Sequence, residues 1–140
     1  MNTRERILVI EDEAAISELI LENLSLDFDV DAVDSCALAE AKLTSSRYDL
    51  ILSDIQLPDG LSLDLMKKLA VNKKNIHETP ILFMTGNLDR NFIKDALKLG
   101  AVGFLDKPFS MAQLRTSIYR VMAINCSTTS SYKQLLKLSL

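Results

Sequence analysis

Five short apolar segments rich in β-branched residues alternate with stretches whose apolar residues recur every three or four positions. These segments span residues 6–10, 28–33, 49–53, 80–85 and 102–106. The first, third and fourth are nearly continuous apolar runs, which is typical of parallel strands covered on both faces. The second alternates apolar and polar residues, which indicates a half-buried strand at the edge of a sheet.

The stretches that follow these segments predict five helices. Ser35 is a predicted N-cap, the fourth helix is predicted over 89–100, and Ser110 with Gln113 has the spacing of a capping box. Repeated strand–helix units favour right-handed crossovers, and so a doubly wound α/β fold with a parallel sheet. The residues predicted to face inward are Ile16, Leu19, Ile20, Leu24, Leu38, Ala41, Leu43, Leu65, Met66, Leu69, Ala70, Ile93, Ala96, Leu97, Leu114, Ile118, Val121 and Met122.

All the predicted elements lie within residues 1–124, which the sequence predicts to be one domain. The Ser/Thr-rich segment 127–131 has the composition of a linker. Residues 125–140 are therefore predicted to be a linker or C-terminal tail, which could lead to an output domain beyond it.

Composition narrows the class of protein. The chain is 48% hydrophobic and 25% charged, as soluble globular domains are. Its net charge of -3 argues against general affinity for nucleic acid or anionic lipid. No apolar run approaches the roughly 20 residues of a membrane span, and the N-terminus does not resemble a signal peptide. With Cys36 and Cys126 as the two cysteines, we expect a cytoplasmic protein.

Charged and hydroxyl side chains stand at the C-terminal ends of all five predicted strands, although those after the second, edge strand, Asp34 and Ser35, should be peripheral. Parallel strands end at one edge of their sheet, and ligands bind outside that edge in open α/β folds. Residues almost 100 positions apart are therefore predicted to converge there. They are Glu11, Asp12 and Glu13 after the first strand, Asp54 after the third, Thr85 after the fourth and Lys107 after the fifth.

This set of residues suits phosphoryl chemistry. Two carboxylates about 4 Å apart repel by roughly 4 kcal/mol at an effective dielectric constant of 20, so the three acids need a cation or raised pKa values. Oxygen ligands without His or Cys suit Mg²⁺. Lys107 would add a positive charge for a phosphate, and Thr85 would add a hydroxyl donor. The sequence therefore predicts a magnesium-assisted phosphoryl site.

Each residue alone has an ordinary explanation. The acids after the first strand could simply cap the first helix, Asp54 could be a turn residue, and Lys107 could be a solvated surface residue. His77, the one histidine, lies in a polar run and is interpreted as a solvated loop residue. The placement of all four positions at strand ends favours the functional interpretation.

The motifs ILVIEDE, DLILSDIQLPDG, ILFMTG and GAVGFLDKPF occur in order along the chain. With them, residues from about Arg6 to Met122 resemble the receiver domain of two-component response regulators. The resemblance implies a flavodoxin-like fold with five parallel strands in the order 2-1-3-4-5 and five flanking helices. It also implies a switch domain that assists its own phosphorylation and dephosphorylation, and that is not an enzyme in the usual sense.

The resemblance implies a role for each site residue. Asp54 would accept a phosphoryl group from a sensor histidine kinase or a phosphotransfer protein, and Thr85 and Lys107 would bind that group. Phe104 would be the switch residue that, with Thr85, changes the surface of the fourth helix, fifth strand and fifth helix. The ligands of Mg²⁺ would be Glu11, Asp12, Asp54 and the backbone carbonyl of Gln56.

Further expectations come from the same resemblance. Gln56 and Asn87 would tune self-dephosphorylation, and the peptide bond between Lys107 and Pro108 would be cis. Ser62 stands where receivers usually have glycine, which predicts a local difference at the start of the third helix. The segment GAVGF lacks an acidic pair common in receivers that dimerise, so the expected state is a monomer or a weak, phosphorylation-dependent dimer.

Three functional readings remain open from the sequence. The chain could be a switch that stands alone and signals to a downstream protein. It could be the N-terminal regulatory domain of a longer DNA-binding or enzymatic regulator. A Mg²⁺-dependent small-molecule phosphatase is the remote reading, disfavoured because Gln56 stands where such enzymes place a second aspartate. None of these readings predicts that this domain binds nucleic acid or a membrane.

Overall fold

The computed structural model of the chain describes residues 4–72, 76, 78–86 and 89–125. Within them, helices and short strands alternate along the chain. The strands are β1 (Arg6–Ile10), β2 (Asp29–Val33), β3 (Leu50–Asp54), β4 (Gln56–Leu57), β5 (Gly60–Leu61), β6 (Ile81–Thr85) and β7 (Ala101–Asp106). The helices are α1 (Ala14–Leu24), α2 (Cys36–Ser45), α3 (Ser62–Asn72), α4 (Arg90–Lys98) and α5 (Met111–Asn125).

Five of the strands form one parallel sheet in the order β2-β1-β3-β6-β7. Because β6 and β7 are the fourth and fifth of the predicted strands, the expected order 2-1-3-4-5 is confirmed. β2 lies at the edge, as its alternating pattern indicated. The parallel arrangement brings the C-terminal ends of β1, β3, β6 and β7 to the same side of the molecule.

Each face of the sheet has its own core. Ile7 and Val9 in β1 point to the face covered by α1 and α5, and Leu8 and Ile10 point to the face covered by α2, α3 and α4. All four are fully buried. A strand covered on both sides must be apolar at every position, which explains the continuous apolar runs.

The inward faces of three helices differ from the prediction. Leu19, Leu38 and Leu97 are about half exposed, at 50%, 51% and 55%, and Ala41 is exposed as well. Ile20, Ala39 and Ala96, one position away from the three leucines, are fully buried; Ile20 and Ala96 were predicted to face inward, whereas Ala39 was not. A shift of one residue rotates a side chain by about 100° around a helix axis. In α2 and α4 an alanine faces the sheet and lets the helix approach closely, so the larger leucine lies outside.

The predicted helix starts are confirmed. The Ser35 side chain accepts the N–H of Leu38 at the start of α2. Ser110 and Gln113 form the reciprocal capping box, with bonds of 2.8 and 3.0 Å. Asp89 caps α4, and Gly100, with φ of 96°, follows its end, where a left-handed residue commonly terminates a helix.

A small hairpin that the sequence did not predict separates β3 from α3. Gln56 and Leu57 pair antiparallel with Leu61 and Gly60, and Gly60 adopts φ of 148°, which other residues rarely adopt. α3 then begins at Ser62 itself. His77, Asn87, Cys126 and the tail 126–140 lie outside the described residues.

Candidate functional site

Three carboxylates meet where β1 and β3 end. Glu11 and Asp12 follow β1, and Asp54 is the last residue of β3, the strand beside it. One oxygen from each of the three lies within 4.8 Å of the others. The Glu11 side chain is fully buried, Asp12 is exposed, and Asp54 is 16% exposed. The predicted convergence of these acids is therefore present, on a surface that solvent reaches.

Lys107 brings a positive charge into this cluster. Its Nζ lies 2.9 and 3.2 Å from the two Glu11 oxygens and 3.1 Å from Oδ2 of Asp54. Glu13 Oε1 is 3.8 Å away. Since the Lys107 side chain is only 16% exposed, solvent screens the attraction between these charges weakly. The ammonium group thus neutralises part of the acidic cluster.

Burial and this ion pair shift two pKa values. Burial raises the pKa of Glu11, the hydrogen bond from Lys107 opposes that rise, and the charge of Asp54 adds to it. Burial alone would lower the pKa of Lys107, but hydrogen bonds to Glu11 and Asp54 outweigh it and raise that pKa. Lys107 therefore stays charged at neutral pH.

The Asp54 carboxylate is held at both oxygens. Oδ1 accepts the N–H of Ile55 at 2.8 Å, and Oδ2 faces Lys107. The rest of β3 is fully buried, which fixes the main chain from which Asp54 projects. A carboxylate that is partly exposed on a rigid strand is suited to react with a group brought by another molecule.

Thr85 and Phe104 lie on the neighbouring strands. Thr85 ends β6, is 6% exposed, and accepts the backbone N–H of Lys107 at 2.7 Å through its carbonyl. Phe104 in β7 is half-buried, with its ring 6.1 Å from the rings of Phe83 and Phe92 between centroids. The site edge is thus joined to an aromatic cluster under α4.

The remaining predicted site residues are placed as follows. Gln56 is exposed in β4, two residues after Asp54, and Asn87 lies outside the described residues. The peptide bond between Lys107 and Pro108 is cis. Glu13 is the N-cap residue of α1, but its side chain makes no capping hydrogen bond. The alternative that these acids serve to cap α1 therefore gains no support from Glu13.

Sequence reasoning assigned no role to three polar residues beside the site. The hydroxyls of Ser53 and Ser62 both donate to the main-chain carbonyl of Asp54. The Asp59 carboxylate in the hairpin accepts the N–H groups of Cys36 and Ala37, at 2.8 and 3.0 Å. Ser62 stood out only as a replacement for glycine, and none of these contacts follows from local spacing.

Comparison with known proteins agrees with this geometry. The model of the family described as the response regulator receiver domain matches residues 7–119. The chain belongs to this family. Receiver domains are parts of two-component response regulators, so the chain is a receiver domain with an acidic cluster that could bind a metal.

Several regulators are similar in sequence to this receiver domain. The transcriptional regulatory protein CrdR of Helicobacter pylori is 32% identical over 118 residues, which cover 84% of this chain and 54% of CrdR. FixJ of Bradyrhizobium diazoefficiens, also a transcriptional regulatory protein, is 33% identical over 121 residues, which cover 84% of this chain and 57% of FixJ. The chain thus spans little more than half of these two relatives.

Solved receiver structures share the fold. The non-phosphorylated HemR receiver domain from Leptospira biflexa has a TM-score of 0.77 and 29% identity, covering 90% of this chain and 97% of that one. The chemotaxis response regulator CheY4 of Vibrio cholerae has a TM-score of 0.77 and 26% identity, covering 85% and 99%. Among the described residues, no helix is long and apolar enough to cross a membrane.

Proposed function

We propose that this receiver domain is a phosphoacceptor switch in which Asp54 takes a phosphoryl group from a phosphohistidine. The donor would be a sensor histidine kinase or a phosphotransfer protein. The observation that carries the proposal is the Asp54 carboxylate, 16% exposed at a strand end and 3.1 Å from Lys107 Nζ. Membership of the receiver family supports the same conclusion.

The oxygen donors at the site fit Mg²⁺. Glu11, Asp12 and Asp54 offer carboxylate oxygens within 4.8 Å of one another, with no histidine or cysteine in the cluster. Hard oxygen ligands of this kind suit Mg²⁺, which prefers a few carboxylates together with water and a phosphate oxygen. We assign these three carboxylates and the backbone carbonyl of Gln56 as its ligands. Bound Mg²⁺ would supply positive charge that neutralises the phosphoryl oxygens.

The proposed reaction transfers the group without any further reagent. A carboxylate oxygen of Asp54 attacks phosphorus, a new O–P bond forms, and the P–N bond to the donor histidine breaks. The imidazole nitrogen keeps the bonding electron pair. Lys107, beside Asp54 Oδ2, would stabilise negative charge on the phosphoryl oxygens, and the Thr85 hydroxyl would donate to one of them.

The test is incubation with acetyl phosphate and Mg²⁺, followed by intact mass measurement and peptide mapping. We expect one added phosphoryl group on a peptide containing Asp54, and none in Asp54→Asn. The exposed Asp64 in α3 provides a control, since Asp64→Asn should be phosphorylated as the wild type is. An unmodified wild type, or modification that persists in Asp54→Asn, would contradict the proposal.

The names of the relatives favour a regulatory domain of a longer regulator over a switch that stands alone. CrdR and FixJ are transcriptional regulatory proteins, and the chain covers 54% and 57% of them. We therefore propose that the domain works as the receiver part of a regulator whose output part responds to Asp54. Sequencing the reading frame past residue 140 tests this. A stop codon there would instead favour the stand-alone switch that signals to a downstream protein.

A further inference from the structure

Two buried serine hydroxyls converge on one main-chain oxygen, the carbonyl of Asp54. Ser53 Oγ, on the preceding residue of β3, lies 2.8 Å from it, and Ser62 Oγ, at the start of α3, lies 2.7 Å from it. Both serines are fully buried. Buried hydroxyls are costly unless they are hydrogen-bonded, so both are committed to this carbonyl.

Ser62 holds the chain on either side of the Asp54–Ile55 peptide group. Its backbone N–H donates to the carbonyl of Ile55 at 3.0 Å. Its hydroxyl lies 3.2 Å from that same oxygen and 2.7 Å from the carbonyl of Asp54, so the single proton goes to the shorter contact. A glycine at this position would keep the N–H bond and lose the hydroxyl bond.

The peptide group held in this way also holds the reactive carboxylate. Its N–H, on Ile55, donates to Oδ1 of Asp54 at 2.8 Å. Since a peptide group is planar, its carbonyl and its N–H turn together. Fixing the carbonyl of Asp54 with two hydroxyls therefore fixes the direction of the N–H that binds Oδ1. Oδ2 is left facing Lys107.

We propose that Ser62, assisted by Ser53, is a positioning residue that orients the Asp54 carboxylate for phosphoryl transfer. This inference rests on the proposed function, because it concerns the same carboxylate. Without the Ser62 hydroxyl, the Asp54 carbonyl keeps the hydrogen bond from Ser53 but loses the second serine hydrogen bond, so the Asp54–Ile55 peptide group rocks more widely. The carboxylate then spends less time in the orientation that can attack in line.

The first measurement is the phosphorylation rate of Ser62→Ala and Ser62→Gly with acetyl phosphate at saturating Mg²⁺. We expect a rate about fivefold lower in both variants at saturating donor, the order expected when one positioning hydrogen bond is lost. Alanine and glycine both remove the hydroxyl but leave different amounts of empty space. A similar loss of rate in the two variants therefore reports the hydroxyl and not the space. Urea unfolding verifies that the variants compared are folded.

The second measurement does not depend on the phosphoryl group. In ¹H–¹⁵N spectra of the unphosphorylated protein, the Ile55 amide proton should move upfield and exchange with solvent about tenfold faster in both variants, because its bond to Oδ1 weakens. A role of Ser62 confined to the stability of α3 would not single out this amide.

Ser45 provides the matched control. Its hydroxyl also donates to a backbone carbonyl, that of Ala41 at 2.9 Å, at the exposed end of α2. Ser45→Ala should change neither the phosphorylation rate nor the Ile55 resonance. Wild-type rates in Ser62→Ala and Ser62→Gly, or an unchanged Ile55 amide, would overturn this inference alone. A wild type that takes no phosphoryl group would instead contradict the proposed function.

Discussion

The Lys107 ammonium group lies within 3.2 Å of both oxygens of the fully buried Glu11 and within 3.1 Å of Asp54. Charges removed from water are costly unless they are paired and hydrogen-bonded. The lysine therefore serves as the site's own cation. On the proposed function, the same contacts would oppose metal binding, because Lys107 and a metal ion would compete for Glu11 and Asp54.

We predict that Lys107→Met lowers the free energy of unfolding in EDTA by about 1–3 kcal/mol, the usual cost of losing hydrogen bonds to a charged group. Mg²⁺ should stabilise this variant more than it stabilises the wild type, since no ammonium group competes. Urea unfolding with EDTA and with Mg²⁺ measures both effects. Lys94→Met, at an exposed position of α4, should stay within about 0.5 kcal/mol of the wild type. Equal stability of the two variants would argue against the role given to Lys107.

A second residue-scale prediction concerns the Cys36 thiol. Burial, followed by the charge and hydrogen bond of Asp59, raises its pKa from 9.0 to about 11. Because the thiolate is the reactive form, alkylation by iodoacetamide at pH 8 should be about 10- to 100-fold slower than for a free thiol. Mass spectrometry of a Cys126→Ser variant, with glutathione as reference, measures this rate. A rate equal to that of glutathione would show that Cys36 is not shielded.

Among the elements, the β4–β5 hairpin connects Asp54 to α2 and α3. Asp59 at its tip accepts two N–H groups at the start of α2, where unpaired donors and the helix dipole attract negative charge. Ser62, which follows its second strand, begins α3 and binds back to Asp54. The segment that carries Gln56 is therefore held at both ends.

The Asp59 contact predicts a dependence of stability on pH. Hydrogen bonds from the N–H groups of Cys36 and Ala37 lower the pKa of Asp59. A carboxyl with a lowered pKa stabilises the folded state above its unfolded pKa, near 3.9, and this contribution disappears as pH falls through the folded value. Asp59→Asn should thus be less stable than the wild type at pH 7, and the difference should shrink below about pH 4. Urea unfolding at pH 7 and pH 3 tests this, and a constant difference would be the contrary result.

Across the whole molecule, β6 and β7 connect the site to the surface formed by α4, β7 and α5. The Thr85 carbonyl accepts the N–H of Lys107, so the ends of the two strands are joined at the site. The rings of Phe83, Phe92 and Phe104 then extend from these strands to α4. On the proposed function, movement of Thr85 towards a phosphoryl group would let Phe104 turn inward and change that surface.

Thr85→Ala should leave Asp54 able to accept a phosphoryl group but weaken this coupling. With beryllofluoride and Mg²⁺, which imitate the phosphorylated state, the wild type should show NMR shift changes in α4, β7 and α5. We expect these distant changes to be less than about half as large in the variant, because a ligand shifts an equilibrium only by its differential binding to the two states. Thr44→Ala, at the exposed end of α2, should behave as the wild type. Full changes in Thr85→Ala would exclude this route of coupling.

The sequence by itself determined the five strands of the parallel sheet, the helix starts and the edge at which the site lies. Continuous apolar runs indicate strands that are buried on both faces of a sheet, and capping residues act on N–H groups within three positions. Both features can therefore be recognised from short stretches of sequence. Once the strands are parallel, their ends meet, and Glu11, Asp12, Asp54, Thr85 and Lys107 are predicted to share one edge without any coordinates. The buried faces of α2 and α4 were harder to predict, because in each helix an alanine and a leucine are adjacent and the alanine, the less apolar of the two, faces the sheet.

Only the tertiary structure decided which atoms meet. Lys107 and Glu11 are 96 residues apart in the chain, and their ion pair depends on how strands and loops pack. The Ser62 hydroxyl reaches the Asp54 carbonyl because a hairpin absent from the prediction folds the chain back over eight residues. Hydrogen bonds depend on distances of tenths of an ångström, whereas periodicity in a sequence fixes only which face a residue occupies.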